Sequence, residues 1–113
     1  MPTEKHMWIG ASGTAYEYYI HELPVQPDPD QKGNYIYAKK VYGQWLAVYI
    51  GEGDLKDRAG NHHKAACIAD KEATHFHVHL NDNERARKAE ESDLLASRGE
   101  AYEPSGCNTQ IGG

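Results

Sequence analysis

Two runs, Asn34-Tyr35-Ile36-Tyr37-Ala38-Lys39-Lys40-Val41 and Gln44-Trp45-Leu46-Ala47-Val48-Tyr49-Ile50-Gly51, stand on either side of a short segment around Gly43. Branched and aromatic side chains favour a pleated, half-buried surface, and so short a gap joins two strands only as an antiparallel β-hairpin. Strand side chains alternate between faces, so Tyr35 and Tyr37 share one, and Tyr49 near the end of the second run comes beside one of them.

The rest of the chain is read around that hairpin. Tyr16–Leu23 suits an additional strand, stopped by Pro24 and by the loop-forming run Gln26-Pro27-Asp28-Pro29-Asp30-Gln31-Lys32-Gly33. From Asp54, a fitting N-cap, Leu55, Ala59, His62 and Ala66 recur at helical spacing, with Gly60 and Asn61 weakening the helix. His75-Phe76-His77-Val78-His79-Leu80 alternates strictly and predicts a strand of the same sheet, with Phe76, Val78 and Leu80 on one face and three histidines on the other. Asn81 with Glu84 reads as a capping box for a helix to about Arg98, ended by Gly99. The expected fold is a small α/β domain: a mainly antiparallel three-stranded sheet, with an N-terminal extra strand, flanked by helices.

A chain of 113 residues is expected to form a single domain over 1–113, with 1–32 an extension and 33–108 the core. The mean hydropathy of −0.81, with no apolar run near the ~20 residues that span a bilayer, argues against a membrane protein. No basic-then-apolar signal opens the sequence, so Cys67 and Cys107 are expected as free thiols in a cytoplasmic protein. The net charge of −5 runs against a nucleic-acid partner, because phosphate contacts come mostly from Lys and Arg. Its distribution matters more. Residues 1–32 carry −3 and residues 99–113 carry −2, while residues 33–98 hold ten basic and ten acidic side chains.

Within that neutral middle, Tyr35, Tyr49, Arg58, His62 and Glu91 form a candidate site. Arg58 and His62 lie four residues apart and project from one helix face. Glu91 precedes Leu94 and Leu95 on the last helix, which puts its carboxylate on or beside the inward face. Such a set suits phosphodiester hydrolysis: the glutamate holds a Mg²⁺-type ion, the arginine stabilises the charge of the transition state, and tyrosine or histidine handles protons. Each residue also has a plainer reading, the tyrosines as packed strand residues and Glu91 as the partner of Arg87.

Gly33-Asn34-Tyr35, Tyr49-Ile50-Gly51, Asp54-Leu55-Lys56-Asp57-Arg58, His62, Glu91-Ser92-Asp93-Leu94-Leu95 and Asn108, taken in that order, resemble the GIY-YIG nuclease superfamily over residues 33–108. The resemblance implies a three-stranded antiparallel sheet with flanking helices and metal-dependent cleavage of nucleic acid, DNA foremost, with Mg²⁺ or Mn²⁺. It implies that Tyr35 and Tyr49 position or deprotonate the attacking water, that Arg58 stabilises the scissile phosphate, and that His62, with His63 as rival, serves proton transfer. Glu91 would be the metal-binding carboxylate, preferred to Glu90 because it stands three residues before the Leu94-Leu95 pair. Asn108 would close the site, with Gly33 and Gly51 as motif glycines. Asn34 stands where the family usually has an aliphatic residue, and Glu52 where some members have a lysine, which leaves proton abstraction to Tyr35 or His62.

His75, His77 and His79, with Cys67, His62 and His63 near in sequence, offer a zinc site only weakly, since no familiar Cys-x-x-Cys spacing appears. They read better as a polar strand face turned to solvent or covered by the Tyr16–Leu23 strand. Lys39, Lys40, Lys56, Lys64, Arg85, Arg87 and Lys88 read as solvated surface, and Trp8, Trp45, Tyr18 and Tyr42 as core or edge packing. The alternative to a nuclease is a catalytically weak or inactive member that binds nucleic acid or a protein, favoured by the acidic total and by the lack of an appended DNA-binding module. Either way, weak non-specific affinity points to a homodimer, a targeting protein partner or a structured substrate to supply targeting.

Overall fold

The computed structural model describes residues 4–109. Five strands, β1 (Lys5–Ile9), β2 (Ala15–Glu22), β3 (Lys32–Val41), β4 (Gln44–Asp54) and β5 (His75–Leu80), form one antiparallel sheet in the order β1-β2-β5-β3-β4. Three helices accompany it, α1 (Leu55–Gly60), α2 (Ala65–Asp70) and α3 (Glu84–Ser97), followed by a 3₁₀ turn at Gly99–Ala101. The mixed α/β class is as expected, but the sheet has five strands rather than three or four. The Tyr16–Leu23 strand pairs with β5 inside the sheet, and β1 is added outside it. Among the described residues no helix is long and apolar enough to cross a membrane.

Strand alternation gives the protein two cores. On one side Trp8, Tyr18, Ile36, Ala38, Ala47 and Ile50 pack with Leu94 of α3. On the other Tyr35, Tyr37, Val48, Phe76 and Val78 pack with Leu55 of α1 and Ile68 of α2. β3 is buried on both faces, so its odd-numbered tyrosines and even-numbered Ile36 and Ala38 reach different cores.

Four local expectations are corrected. The single helix after Asp54 is two short ones, because α1 ends at Gly60 with Asn61 as its cap; Asp54 does cap α1, accepting from the Asp57 N–H. The N-cap of α3 is Asn83, which accepts from the Ala86 N–H, and Asn81 instead accepts from the Asn83 N–H. Cys67 and Cys107 are not free thiols but a disulfide joining α2 to the C-terminal segment. Disulfides persist in oxidising surroundings, so the cysteines lend no support to a cytoplasmic location.

The histidine face is not turned to solvent. His77 is fully buried and its Nδ1 accepts from the Trp8 indole N–H at 3.0 Å, with Trp45 packed edge-on at 4.6 Å between ring centres. His79 pairs with Glu90 of α3 at 2.9 Å, and the Tyr18 hydroxyl donates to the same carboxylate at 2.5 Å. Burial, then the nearby His6, His75 and His21, pushes His77 down to about 3 from an ordinary value of 6.5. Between those values the unfolded chain binds a proton that the folded chain refuses, so stability is lost as pH falls through the window. From pH 7 to pH 5 the expected loss from His77 is about 2 kcal/mol, read as the urea unfolding midpoint. His77→Gln, whose amide oxygen can still accept from Trp8, should lose less on acidification; an unchanged pH dependence would refute this assignment.

Candidate active site

The hairpin register sets Tyr35 opposite Gly51 and Tyr37 opposite Tyr49. A Cβ on Gly51 would lie 2.5 Å from the Tyr35 ring, so the glycine is the space into which that ring leans. Tyr35 then stacks on Tyr49, with 6.1 Å between ring centres. Gly33 pairs with Leu80 across the β3–β5 ladder, away from these rings.

The loop between α1 and α2 brings His62 in from the other side. Its Nε2 meets the Tyr35 hydroxyl at 2.7 Å, and its ring stands edge-on to Tyr49 at 4.6 Å. The backbone N–H of Lys64 donates to His62 Nδ1 at 2.9 Å. The neutral ring therefore carries its proton on Nε2 and donates it to the Tyr35 oxygen. Burial, helped by His63, Arg58 and Lys64, holds His62 down to about 4, so it is neutral near pH 7. His63 is exposed and stacks on His62 at 4.7 Å, which distinguishes the two: His62 belongs to the tyrosine cluster and His63 covers it.

Burial, and then Tyr49, drives the Tyr35 hydroxyl well above the usual tyrosine range, against a smaller pull from Arg58. Tyr49 is raised as well, by burial and Glu91, while Arg58 and Tyr35 draw it down. Arg58 is half-buried on α1, and its backbone carbonyl accepts from the Tyr37 hydroxyl at 3.0 Å, which anchors the helix on the sheet. Gly53, at φ 140°, leaves room for the guanidinium, whose Nε lies 2.9 Å from where a Cβ would be. The Gly51-x-Gly53 spacing was a readable signal for this second glycine.

Glu91 comes from α3, whose Leu94 packs in the other core, and its carboxylate lies within charge-interaction reach of Arg58, Tyr49 and Tyr35. It takes part in none of the ion pairs among the described residues. Burial, and secondly Glu52, raises it to about 7, while Arg58 and Lys88 pull it down. Arg87 is not its partner: that guanidinium is buried against Glu52 at 2.9 Å. Glu52 is thus neutralised in place. Asn34 is fully buried, its amide donating to the Arg87 carbonyl at 2.8 Å, so it fastens β3 to α3 rather than pointing away from the core. Glu90 is committed to Tyr18 and His79, leaving Glu91 as the available carboxylate of the two.

Asn108 does not reach the cluster as a reacting group. Its side chain accepts from the Ile50 N–H at 2.9 Å and donates to the Ile50 carbonyl at 3.0 Å, clasping the outer edge of β4 between Tyr49 and Gly51. The Cys107 N–H adds a bond to the Val48 carbonyl at 2.8 Å.

The donor set suits a hard cation poorly served by protein ligands. Among the described residues no three of His, Cys, Asp and Glu converge on one point. Mg²⁺ is commonly held by one or two carboxylates, with water and substrate phosphate completing an octahedron. A single half-buried carboxylate with no ion-pair partner, Glu91, fits that mode. His75, His77 and His79 do not form a metal set: the first meets Thr74 and Trp45, the second Trp8, the third Glu90. Cys67 is held in the disulfide. Comparison with protein-family models, with curated proteins and with solved structures finds no match to this chain.

Proposed function

We propose that this chain is an endonuclease of the GIY-YIG kind, which hydrolyses phosphodiester bonds of nucleic acid, DNA foremost, with Mg²⁺ or Mn²⁺ at Glu91. The observation that carries the reading is the stacked Tyr35–Tyr49 pair with Arg58 and Glu91 within charge-interaction reach of it, four side chains brought in by β3, β4, α1 and α3. A divalent cation held by Glu91 would supply charge neutralisation for the phosphate. Arg58 offers a planar fork to the same phosphate. His62 donates to the Tyr35 oxygen and so fixes that hydroxyl, leaving the Tyr35 O–H free to orient the attacking water. Tyr49 stacks on Tyr35 and, its hydroxyl kept protonated by burial and Glu91, orients the same water with it.

The test is a screen of single-stranded, duplex, nicked and branched DNA and RNA with Mg²⁺, Mn²⁺ and EDTA. Cleavage that requires a divalent ion is the expected result. Binding without cleavage in both metals would replace this reading with that of a binding module.

A further inference from the structure

The hairpin end of the sheet, on the α3 side, carries an open pocket of about 470 Å³ lined by His6, Trp8, Lys40, Gln44, Trp45 and Arg98. That lies within the ~300–1,000 Å³ usual for small-ligand sites. Lys40 Nζ stands 5.1 Å from the centre of the Trp45 ring, and Arg98 Cζ 5.4 Å from that of Trp8. No carboxylate lines the pocket, and neither cation belongs to an ion pair among the described residues. In a chain with 17 acidic residues against 12 basic, this is a local reversal of sign. His6 registers it: burial first, then Arg98 and Lys40, lowers its pKa.

The two indoles differ in use. Trp8 is fully buried, with its N–H spent on His77. Trp45 is only half-buried, so its ring is the one a ligand meets. Arg98 Nη2 is held by the Ile9 carbonyl at 2.9 Å, while its Nε is buried without a partner. Lys40 is exposed on a flexible stem, free to leave the ring face for an anion.

We infer that this pocket takes one unpaired nucleotide of a nucleic-acid strand, its base against Trp45 and its phosphate between Lys40 and Arg98. Cations alone would take any anion and an indole alone any apolar group; together they select a flat ring joined to a negative charge. Bases within a duplex have both faces occupied by their neighbours, so only an unpaired base can present a face to Trp45. Gln44, His6 and the Trp45 indole N–H are the uncharged hydrogen-bonding groups of the lining, too few to read a base edge in full, so base preference should be slight. For the substrate class the inference rests on the nuclease reading, and it deepens that reading to nucleic acid with an unpaired end or branch.

The experiment measures anisotropy of a labelled single-stranded octanucleotide with the full chain in EDTA at low salt. The oligonucleotide should bind more tightly than a blunt duplex, and Lys40→Glu and Trp45→Leu should each weaken it about tenfold. Lys40 is exposed, so its variant reports even if Trp45→Leu disturbs the core. Unchanged affinity in both variants overturns the inference. Competition by inorganic phosphate as strong as that by a mononucleotide also overturns it, leaving an anion site. Because no metal is present, binding of this kind by a protein that never cleaves refutes the nuclease reading alone, whereas cleavage with unaltered binding in both variants refutes the pocket alone.

Discussion

Glu91→Gln is expected to lower metal-dependent nicking by about 10²–10³-fold while leaving the fold at least as stable as before. The two halves of that result have one cause. Burial and Glu52 raise the carboxyl to about 7 from an ordinary 4.5. Between those values the folded chain keeps a proton that the unfolded chain releases, so stability is present below the window and declines as pH rises through it. Above it, the ionised carboxylate is a cost to folding, and the amide removes that cost. Arg58→Ala should lower nicking as much, since one positioned donor to transition-state charge is commonly worth ~10²-fold or more. Its backbone carbonyl, the part that Tyr37 holds, is retained. Arg58→Lys restores the charge without the fork and should recover only part of the rate. Nicking of supercoiled plasmid with parallel thermal melts checks all three, and activity equal to the unmodified protein in either Glu91→Gln or Arg58→Ala would place the chemistry elsewhere.

Removing the disulfide should be the largest single loss of stability. Cys67 and Cys107 are 40 residues apart, and closing a loop of that size in the unfolded chain is worth about 4 kcal/mol on the chain-entropy account. The bridge also holds the segment whose Cys107 N–H and Asn108 side chain bind β4 at Val48 and Ile50. Cys67→Ser with Cys107→Ser should therefore lower the urea midpoint steeply and also slow nicking, since Tyr49 lies between those two anchor points. An unfolding midpoint unaffected by the double substitution, or by reductant, would show that the bridge does not carry this load.

The parts legible in the sequence were those fixed by local pattern. Alternation placed Tyr35 and Tyr37 on one face, but the register that opposes Gly51 to Tyr35 was not legible, because the link at Gly43 pairs Val41 with Gln44 and a bulge between Tyr37 and Ala38 then shifts the pairing by one residue. The family resemblance preferred Glu91 to Glu90, and the fold spends the Glu90 carboxylate on Tyr18 and His79. The misses were contacts between distant positions. His77 looked like one of three equivalent surface rings because its partner, Trp8, lies 69 residues away. The cysteines could not be paired by counting, since nothing local brings α2 to the C-terminal segment. Asn81 and Asn83 are chemically equivalent caps two residues apart, and only the entry angle of the chain chooses between them. β1 was overlooked because five residues containing lysine and histidine carry little strand signal until Trp8 is seen to be buried.

The β1–β2 connection has a mechanical consequence. Asp93 of α3 accepts from the Ser12 N–H at 2.8 Å, the Ser12 hydroxyl at 2.7 Å and the Tyr16 hydroxyl at 2.8 Å. Glu90, on the same helix, grips Tyr18 of β2. Glu91 sits between these two grips. The N-terminal hairpin is therefore a handle on the helix that presents the carboxylate: anything that grasps β1 and β2 from outside has a short lever to Glu91.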